Sequence, residues 1–371
     1  MRHAVRVYGP AYLDRVVRVA EALHPTESRR PLDQSIPGQW KFGPGLMITA
    51  AGEPALRLAI PDRWAGPTGI VELETPLALT ESKFVSVESH HDDLGGMGAG
   101  FAAALGAKLT CILGDASDPT TTEIERLLAQ AGIEFRPLRV NGQPSDWTLL
   151  LTSGPFGDKL AIGFRSCHTA ASELTLPPED DPCDLRIVAG LPNRLAEAAL
   201  SRPGARIRML APSLRNMISR DPPVGRLARS VDVLSCNRNE WESLDDREQV
   251  AWQLSVLIIT DGCDGSRIRF TTPEGESCQL HVPAFPREAP PCDTNRAGEA
   301  FASAFAAELL DSRWQPGSAE ESLIRAAGQR ASAAAGLVLD LEKFGFPSRE
   351  MISLVIARGG IPGPSDNRMT D

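Results

Sequence analysis

Short runs of aliphatic residues recur from about residue 84 onward and alternate with longer, Ala- and Leu-rich segments. Each run is rich in Val, Ile and Leu and is bounded by Gly, Pro or Asn, which is typical of β-strands. The predicted strands are residues 109–113, 185–189, 207–211, 231–236 and 256–260. Because these runs are apolar on both faces, they indicate a parallel sheet that is covered on both sides.

The segments between these runs have the length and amphipathic spacing of crossover helices. They are residues 120–131, 192–201 and 245–254. The alternation of strand and helix predicts βαβ units in a doubly wound α/β sheet.

Two regions and the C-terminus depart from this alternation. Residues 24–80 contain eight prolines, and residues 141–168 alternate apolar and polar positions around Gly154 and Gly157. Both regions are interpreted as small β structure that forms a flap over the sheet, with a long irregular surface loop as the alternative for 24–80. The tail 358–371 is rich in Gly, Pro and polar residues, and we expect it to be mobile.

Composition and charge narrow the class of protein. The chain has 371 residues, of which 42% are hydrophobic and 23% charged, as in globular proteins. Its 38 Lys and Arg against 48 Asp and Glu give a net charge of −10, which argues against nucleic-acid and membrane partners. The seven cysteines include no C-x-x-C pair and indicate reduced thiols. No apolar run has the length of a signal peptide or a membrane span, so we expect a soluble cytoplasmic protein.

The stretch CDTNRAGEAFASAFAAELL, residues 292–310, carries the clearest chemistry. It predicts a loop that leads into a helix, where backbone N–H groups and the helix dipole stabilise an anion. Glu299 in the first turn would lie beside that anion, and phosphoryl transfer needs such donors together with a carboxylate base. In the alternative interpretation, Asp293 or Thr294 caps a buried helix and Glu299 complements its dipole.

This stretch resembles the signature D-T-x-G-A-G-D of the PfkB/ribokinase family of carbohydrate and nucleoside kinases. The positions that fit the signature are Asp293, Thr294, Ala297 and Gly298. Arg296 replaces the first glycine and could supply a fixed positive charge to phosphate. Glu299 stands at the position of the family's catalytic Asp and adds a methylene, which shifts a base by about 1 Å.

Other segments resemble family motifs in the same order along the chain. They are VRVYGPAYLDRVVRV with Asp14, LGGMGAGF with Gly95 and Gly96, CNRNE with Asn237 and Glu240, and TDGCDG with Thr260, Gly262 and Gly265. The resemblance implies one ribokinase-like α/β domain over residues 1–357, with a small β lid around 24–80 and 141–168. It also implies that the enlarged lid is a candidate homodimer contact.

The resemblance further implies transfer of the γ-phosphate of ATP, with Mg²⁺, to a hydroxyl of a sugar or sugar-like molecule. Glu299 would be the base, and the amides of Arg296, Ala297 and Gly298 would hold the phosphoryl group. The remaining implied roles are acceptor binding by Asp14, Gly95, Gly96 and Asp293, nucleotide binding by Thr260, Gly262, Gly265 and Asn237, and magnesium placement by Glu240.

Two other functions are weighed against kinase activity. The substitutions at 296 and 299 indicate, as an alternative, a ribokinase-fold protein that binds ligands or regulates partners with weak or no catalysis. A dehydrogenase is disfavoured because GMGAGF places Phe101 where the dinucleotide fingerprint needs its third glycine. The His90–Asp93 cluster is assigned a solvated or lid-hinge role rather than a metal site, and His168 is interpreted as isolated.

Overall fold

The computed structural model describes residues 3–19, 46–50, 53–58, 70–73, 83–85, 87–153, 158–171, 174–178, 181–289, 291 and 295–362. Within these ranges the strands are β1 (Val5–Tyr8), β2 (Tyr12–Val19), β3 (Leu46–Ala50), β4 (Glu53–Leu58), β5 (Ile70–Leu73), β6 (Lys83–Val85), β7 (Val87–Gly95), β8 (Lys108–Leu113), β9 (Phe135–Arg139), β10 (Trp147–Ser153), β11 (Asp158–Arg165), β12 (Cys183–Ala189), β13 (Ala205–Ala211), β14 (Val233–Asn237), β15 (Val256–Thr260), β16 (Ser266–Thr271) and β17 (Ser277–Val282). The helices are α1 (Met97–Leu105), α2 (Pro119–Gln130), α3 (Cys167–Ala170), α4 (Asn193–Leu200), α5 (Leu214–Ile218), α6 (Val224–Leu227), α7 (Arg238–Glu242), α8 (Arg247–Ala251), α9 (Ala297–Asp311), α10 (Glu321–Val338) and α11 (Arg349–Arg358).

A nine-stranded sheet forms the centre of the fold, in the order β17-β16-β15-β14-β13-β12-β1-β8-β9. Every neighbouring pair from β15 to β9 is parallel, and only β16 and β17 add antiparallel strands at one edge. The predicted doubly wound, mainly parallel sheet is therefore confirmed. Each predicted strand coincides with an observed one to within two residues at its ends, whereas the helix predicted over 245–254 is limited to α8.

Successive residues of the central strands enter two different cores, one on each face of the sheet. Val7 belongs to the core beneath α1 and α9, whereas Tyr8 belongs to the core beneath α4 and α6. Ile187 and Val188 divide in the same way. This division explains why the strands are apolar at consecutive positions, since neither face meets water.

Two smaller sheets accompany the central one. One has the order β5-β11-β10-β2-β7, and we call it the lid sheet; the other has the order β3-β4-β6. The predicted flap 141–168 thus contributes β10 and β11, and the described parts of 24–80 contribute β3, β4 and β5. The rest of 24–80 and residues 363–371 of the predicted tail lie outside the described residues.

The strand order reverses at β1, which has β8 on one side and β12 on the other. In open α/β sheets the crevice outside the carboxyl ends of the strands at such a point is the preferred ligand site. The chain leaves β1 there and turns through Gly9 and Pro10 directly into β2 of the lid sheet. None of the helices within the described residues is both long and apolar enough to cross a membrane.

Candidate active site

Asp14 and Gly95 lie together on the lid sheet. Antiparallel pairing of β2 with β7 sets Tyr12 opposite Gly95 and Asp14 opposite Asp93. A Cβ atom at position 95 would lie 2.2 Å from Cγ of Asp14, so the carboxyl group occupies the space above the glycine. Two residues predicted to bind the acceptor, 81 positions apart in sequence, are therefore in contact in the structure.

The first turn of α1 packs against the end of β1. Gly96 precedes this helix with φ of 94°, and a Cβ there would lie 2.6 Å from the Pro10 carbonyl oxygen. The Ala99 N–H donates to that same carbonyl at 3.2 Å. Gly98 and Gly9 approach so closely that a Cβ on either would overlap the backbone of the other. Gly9 and Gly98 must be glycine because their backbones meet, and Gly96 is favoured as glycine because its φ is positive.

Glu299 in the first turn of α9 faces α1. A Cβ at Gly100 would lie 3.2 Å from Cγ of Glu299 and 3.4 Å from Cζ of Phe346, so the Glu299 side chain packs across Gly100. A Cβ at Gly298 would meet no heavy atom within 4 Å among the described residues. The predicted base Glu299 therefore lies beside α1, which begins directly after Gly96, and Gly298 is the residue before this base.

Arg296 precedes α9 in the left-handed conformation, with φ of 67°. Its carbonyl accepts the Ala300 N–H at 2.8 Å, which begins the helix. The guanidinium donates to Asp93 Oδ2 at 3.5 Å and to the Leu341 carbonyl at 3.0 Å. The charge of Arg296 thus faces a carboxylate of the lid sheet, and its predicted phosphate role stays a prediction.

Asp93 also accepts hydrogen bonds from two backbone N–H groups. Its Oδ2 accepts the Phe344 N–H at 2.6 Å, and its Oδ1 accepts the Leu94 N–H at 2.9 Å. Burial raises the pKa of Asp93 above its ordinary value, and the Arg296 guanidinium and these two N–H groups offset part of that rise. Assignment of the His90–Asp93 cluster to a solvated or hinge role missed these contacts of Asp93.

The predicted nucleotide residues meet at the carboxyl ends of two neighbouring strands. Thr260 ends β15 directly beside Asn237, which ends β14. Beyond Thr260 a single 3-10 turn, Gly262–Asp264, leads to Gly265, and the two glycines have φ of 56° and 84°. A Cβ at Gly265 would lie 2.2 Å from the Val282 carbonyl oxygen, so this turn needs glycine.

Asn237 and Glu240 form a reciprocal capping box at the start of α7. Asn237 Oδ1 accepts the Glu240 N–H at 2.9 Å, and Glu240 Oε2 accepts the Asn237 N–H at 2.8 Å. The described residues contain no group of three or more His, Cys, Asp or Glu arranged to hold a metal ion. The magnesium role of Glu240 stays a prediction, and Asp293 of the predicted acceptor site lies outside the described residues.

His168 is a buried polar residue whose surroundings the sequence did not indicate. Its ring lies edge-on to Tyr12 with centroids 6.1 Å apart, and the Arg165 guanidinium lies 4.1 Å from the centre of the same Tyr12 ring. Burial lowers the pKa of His168 well below its ordinary value, and Arg215 and Arg165 lower it further. The neutral imidazole of His168 therefore lies against Tyr12 of β2. In the sequence this residue is visible only as an isolated histidine at the end of the predicted flap 141–168.

The sequence of the chain matches a known family. The sequence profile described as "pfkB family carbohydrate kinase" matches residues 81–349. The chain belongs to this family. None of the curated proteins matches the chain in sequence.

Solved structures share the ribokinase-like fold of this pfkB-family chain. A nucleoside kinase of Methanocaldococcus jannaschii is 14% identical, with a TM-score of 0.65, over 96% of this chain and 99% of the other. Burkholderia thailandensis nucleoside kinase, solved with inosine, is 16% identical with a TM-score of 0.62 over the same shares. Arabidopsis thaliana ribokinase, solved with ribose and ATP, is 17% identical with a TM-score of 0.57 over 95% and 98%. The predicted ribokinase-like fold is confirmed.

Proposed function

We propose that this pfkB-family protein transfers the γ-phosphate of ATP, in the presence of Mg²⁺, to a hydroxyl group of a sugar or sugar-like molecule. One observation carries the proposal: Glu299 packs across Gly100 of α1, the helix that starts beside the contact between Asp14 and Gly95. In this proposal the base, the start of α1 and the acceptor-binding carboxylate act at one crevice, because Gly95 and Gly100, which they contact, lie on either side of the start of α1. Phosphoryl transfer depends mainly on such positioning and on charge stabilisation.

Each of these groups has a separate task in the proposed reaction. Asp14 accepts hydrogen bonds from acceptor hydroxyls, and Gly95 leaves room for its carboxylate. Glu299 accepts the proton of the attacking hydroxyl. The amides of Arg296, Ala297 and Gly298 point out of the start of α9 and stabilise the negative charge of the transferred phosphoryl group. Asp293 retains its predicted place in acceptor binding.

The turn after β15 binds the nucleotide in this proposal. Thr260, Gly262 and Gly265 present a short glycine-bounded turn next to Asn237, at the same edge of the sheet. Mg²⁺ usually binds through one or two carboxylates together with substrate phosphates and water, and Glu240, in the first turn after Asn237, would supply one such carboxylate. When bound there, the ion neutralises phosphate charge.

Relatives in structure support the class of acceptor. The Arabidopsis ribokinase was solved with ribose and ATP, and the Burkholderia enzyme with inosine. Both ligands carry a ribose, which agrees with a sugar or sugar-like acceptor for this chain. We also propose that the protein is cytoplasmic and forms a homodimer through the lid.

Calorimetric titration with ATP, with and without Mg²⁺, is the first test, followed by a phosphorylation screen over sugars, nucleosides and polyols. We expect Mg²⁺-dependent binding, transfer to at least one acceptor, and its loss in Glu299→Gln. Glu299→Asp keeps a carboxylate and should retain part of the activity. Binding of an acceptor without any transfer would contradict the proposal and favour the alternative, a ligand-binding protein without turnover.

A further inference from the structure

Asp93 connects three segments of the chain, one of which begins the helix that carries Glu299. It lies on β7, it accepts the Phe344 N–H from the loop after α10, and it faces the Arg296 guanidinium at the start of α9. Arg296 also donates to the Leu341 carbonyl of that loop. Both partners of the ion pair are mostly buried, with side-chain exposures of 10% for Arg296 and 15% for Asp93.

The backbone of Arg296 has an unusual conformation that this ion pair helps to hold. Its φ of 67° lies in the left-handed region, which is unfavourable for a residue other than glycine. Such a conformation persists only where surrounding contacts fix it. The contacts with Asp93 and Leu341 are of that kind, because they hold the far end of the side chain at two points on two other elements.

Asp93 also lies directly opposite Asp14 across the β2–β7 pair. Residues in such a pair project from the same face, and two like charges there repel. The Arg296 guanidinium places a positive charge beside this pair and lowers the pKa of Asp93, which burial raises. His91 on β7 lowers the pKa of Asp93 as well.

We propose that Asp93 and Arg296 are positioning residues: their ion pair fixes the start of α9, and with it Glu299, against the lid strand that ends at the acceptor glycine Gly95. This inference rests on the proposed function. The side chain of Arg296 thereby acts on the reaction through Glu299 and the first-turn amides rather than by touching phosphate. The Phe344 N–H shares the same carboxylate, so Phe346, which also packs on Gly100, is held by the same contact.

Steady-state kinetics with Arg296→Ala, Arg296→Lys and Asp93→Asn test the proposal. A displacement of about 1 Å at a reacting group lowers the rate by about 100-fold, so we expect kcat to fall by roughly that factor in Arg296→Ala and Asp93→Asn. KM for ATP should change by less than about threefold, since the interaction acts on the transition state rather than on ground-state binding. Arg296→Lys keeps the charge and should recover at least about tenfold of the loss, because charge-assisted hydrogen bonds are the strong ones.

Arg206 and Asp184 provide the matched control. They form an ion pair of 3.6 Å near the amino ends of β13 and β12, whereas the candidate site lies at the carboxyl ends of the parallel strands. Arg206→Ala and Asp184→Asn should lower thermal stability while leaving kcat unchanged. The double variant Asp93→Asn/Arg296→Ala should be no slower than either single variant, since both remove one interaction.

Hydrogen exchange gives a readout that does not depend on activity. The Phe344 amide and the first turn of α9 should exchange faster in Asp93→Asn and Arg296→Ala than in the native chain, and unchanged in the control variants. Full kcat in Arg296→Ala, additive losses in the double variant, or unchanged exchange at Phe344 would each overturn the proposal. If the native chain transfers no phosphate, the proposed function fails, and the exchange measurement alone decides whether the ion pair positions α9.

Discussion

Gly95→Ala should damage acceptor binding through Asp14 alone. The added methyl carbon would lie 2.2 Å from Cγ of Asp14, whereas ordinary contact begins at 3.4 Å. The carboxyl group must therefore move by about 1.2 Å, which is enough to break hydrogen bonds to acceptor hydroxyls. The backbone of Gly95 is not in the left-handed region, so the substitution adds no conformational strain of its own.

The magnitude follows from the hydrogen bond that is lost. A hydrogen bond to a charged group contributes about 1.5–3 kcal/mol, which corresponds to about 10- to 150-fold in kcat/KM for the acceptor. The affinity for MgATP should stay the same, because the nucleotide turn at Thr260 belongs to other strands. Acceptor-dependent kinetics and calorimetric ATP titration measure the two quantities separately.

A double-mutant cycle decides whether Asp14 carries the effect. In an Asp14→Ala background the methyl group has nothing to displace, so Gly95→Ala should then change kcat/KM by less than about twofold. Gly225→Ala is the matched control, since a Cβ there would lie 2.2 Å from Asp246 Oδ2, outside the candidate site. An equal loss of kcat/KM in that control, or an undiminished loss without Asp14, would refute the reasoning.

Three further predictions concern other parts of the molecule. Gly298→Ala should raise helix stability by up to about 1 kcal/mol, because its Cβ would meet no heavy atom within 4 Å among the described residues, yet weaken MgATP binding in calorimetry, because the proposed phosphate site needs that space. Cys263, exposed in the nucleotide turn, should react with iodoacetamide more slowly when MgATP is bound, as mass spectrometry would show; equal rates would contradict the assignment of this turn. N–H groups of Gly142 and Ser117 lower the pKa of Asp115 from 3.8 to about 2, so its stabilisation is complete above pH 3.8 and lost as the pH falls to 2. Chemical denaturation of Asp115→Asn should accordingly differ from the native chain at pH 6 and converge with it at pH 2.

The sequence predicted well whatever depended on local pattern. Strands such as β15 were evident because residues apolar on both faces have few alternatives to a covered sheet. The resemblance to two family motifs assigned both Asp14 and Gly95 to acceptor binding, and the structure adds that the two residues are in contact. The spacing of Asn237 and Glu240, in contrast, is also that of a capping box, and the structure shows that local arrangement.

Contacts between distant segments could not be predicted in the same way. Asp93 and Arg296 are separated by 203 positions, and no periodicity links them. Their pairing depends on the packing of α9 against α1 and on the course of the loop after α10. His168 is similar, because its burial behind Tyr12 arises from the meeting of two sheets rather than from its neighbours in sequence.

The central place of β1 also determines when the protein can assemble during synthesis. Val5 pairs with Leu185, so β1 lacks one of its neighbours until 180 further residues have been made. Glu299 reaches Gly100 later still. Long-range pairing of this kind slows folding and leaves apolar strands exposed in the meantime. β1 therefore stays only partly paired while these residues are made, and the contact between Glu299 and Gly100 in the candidate site forms afterwards.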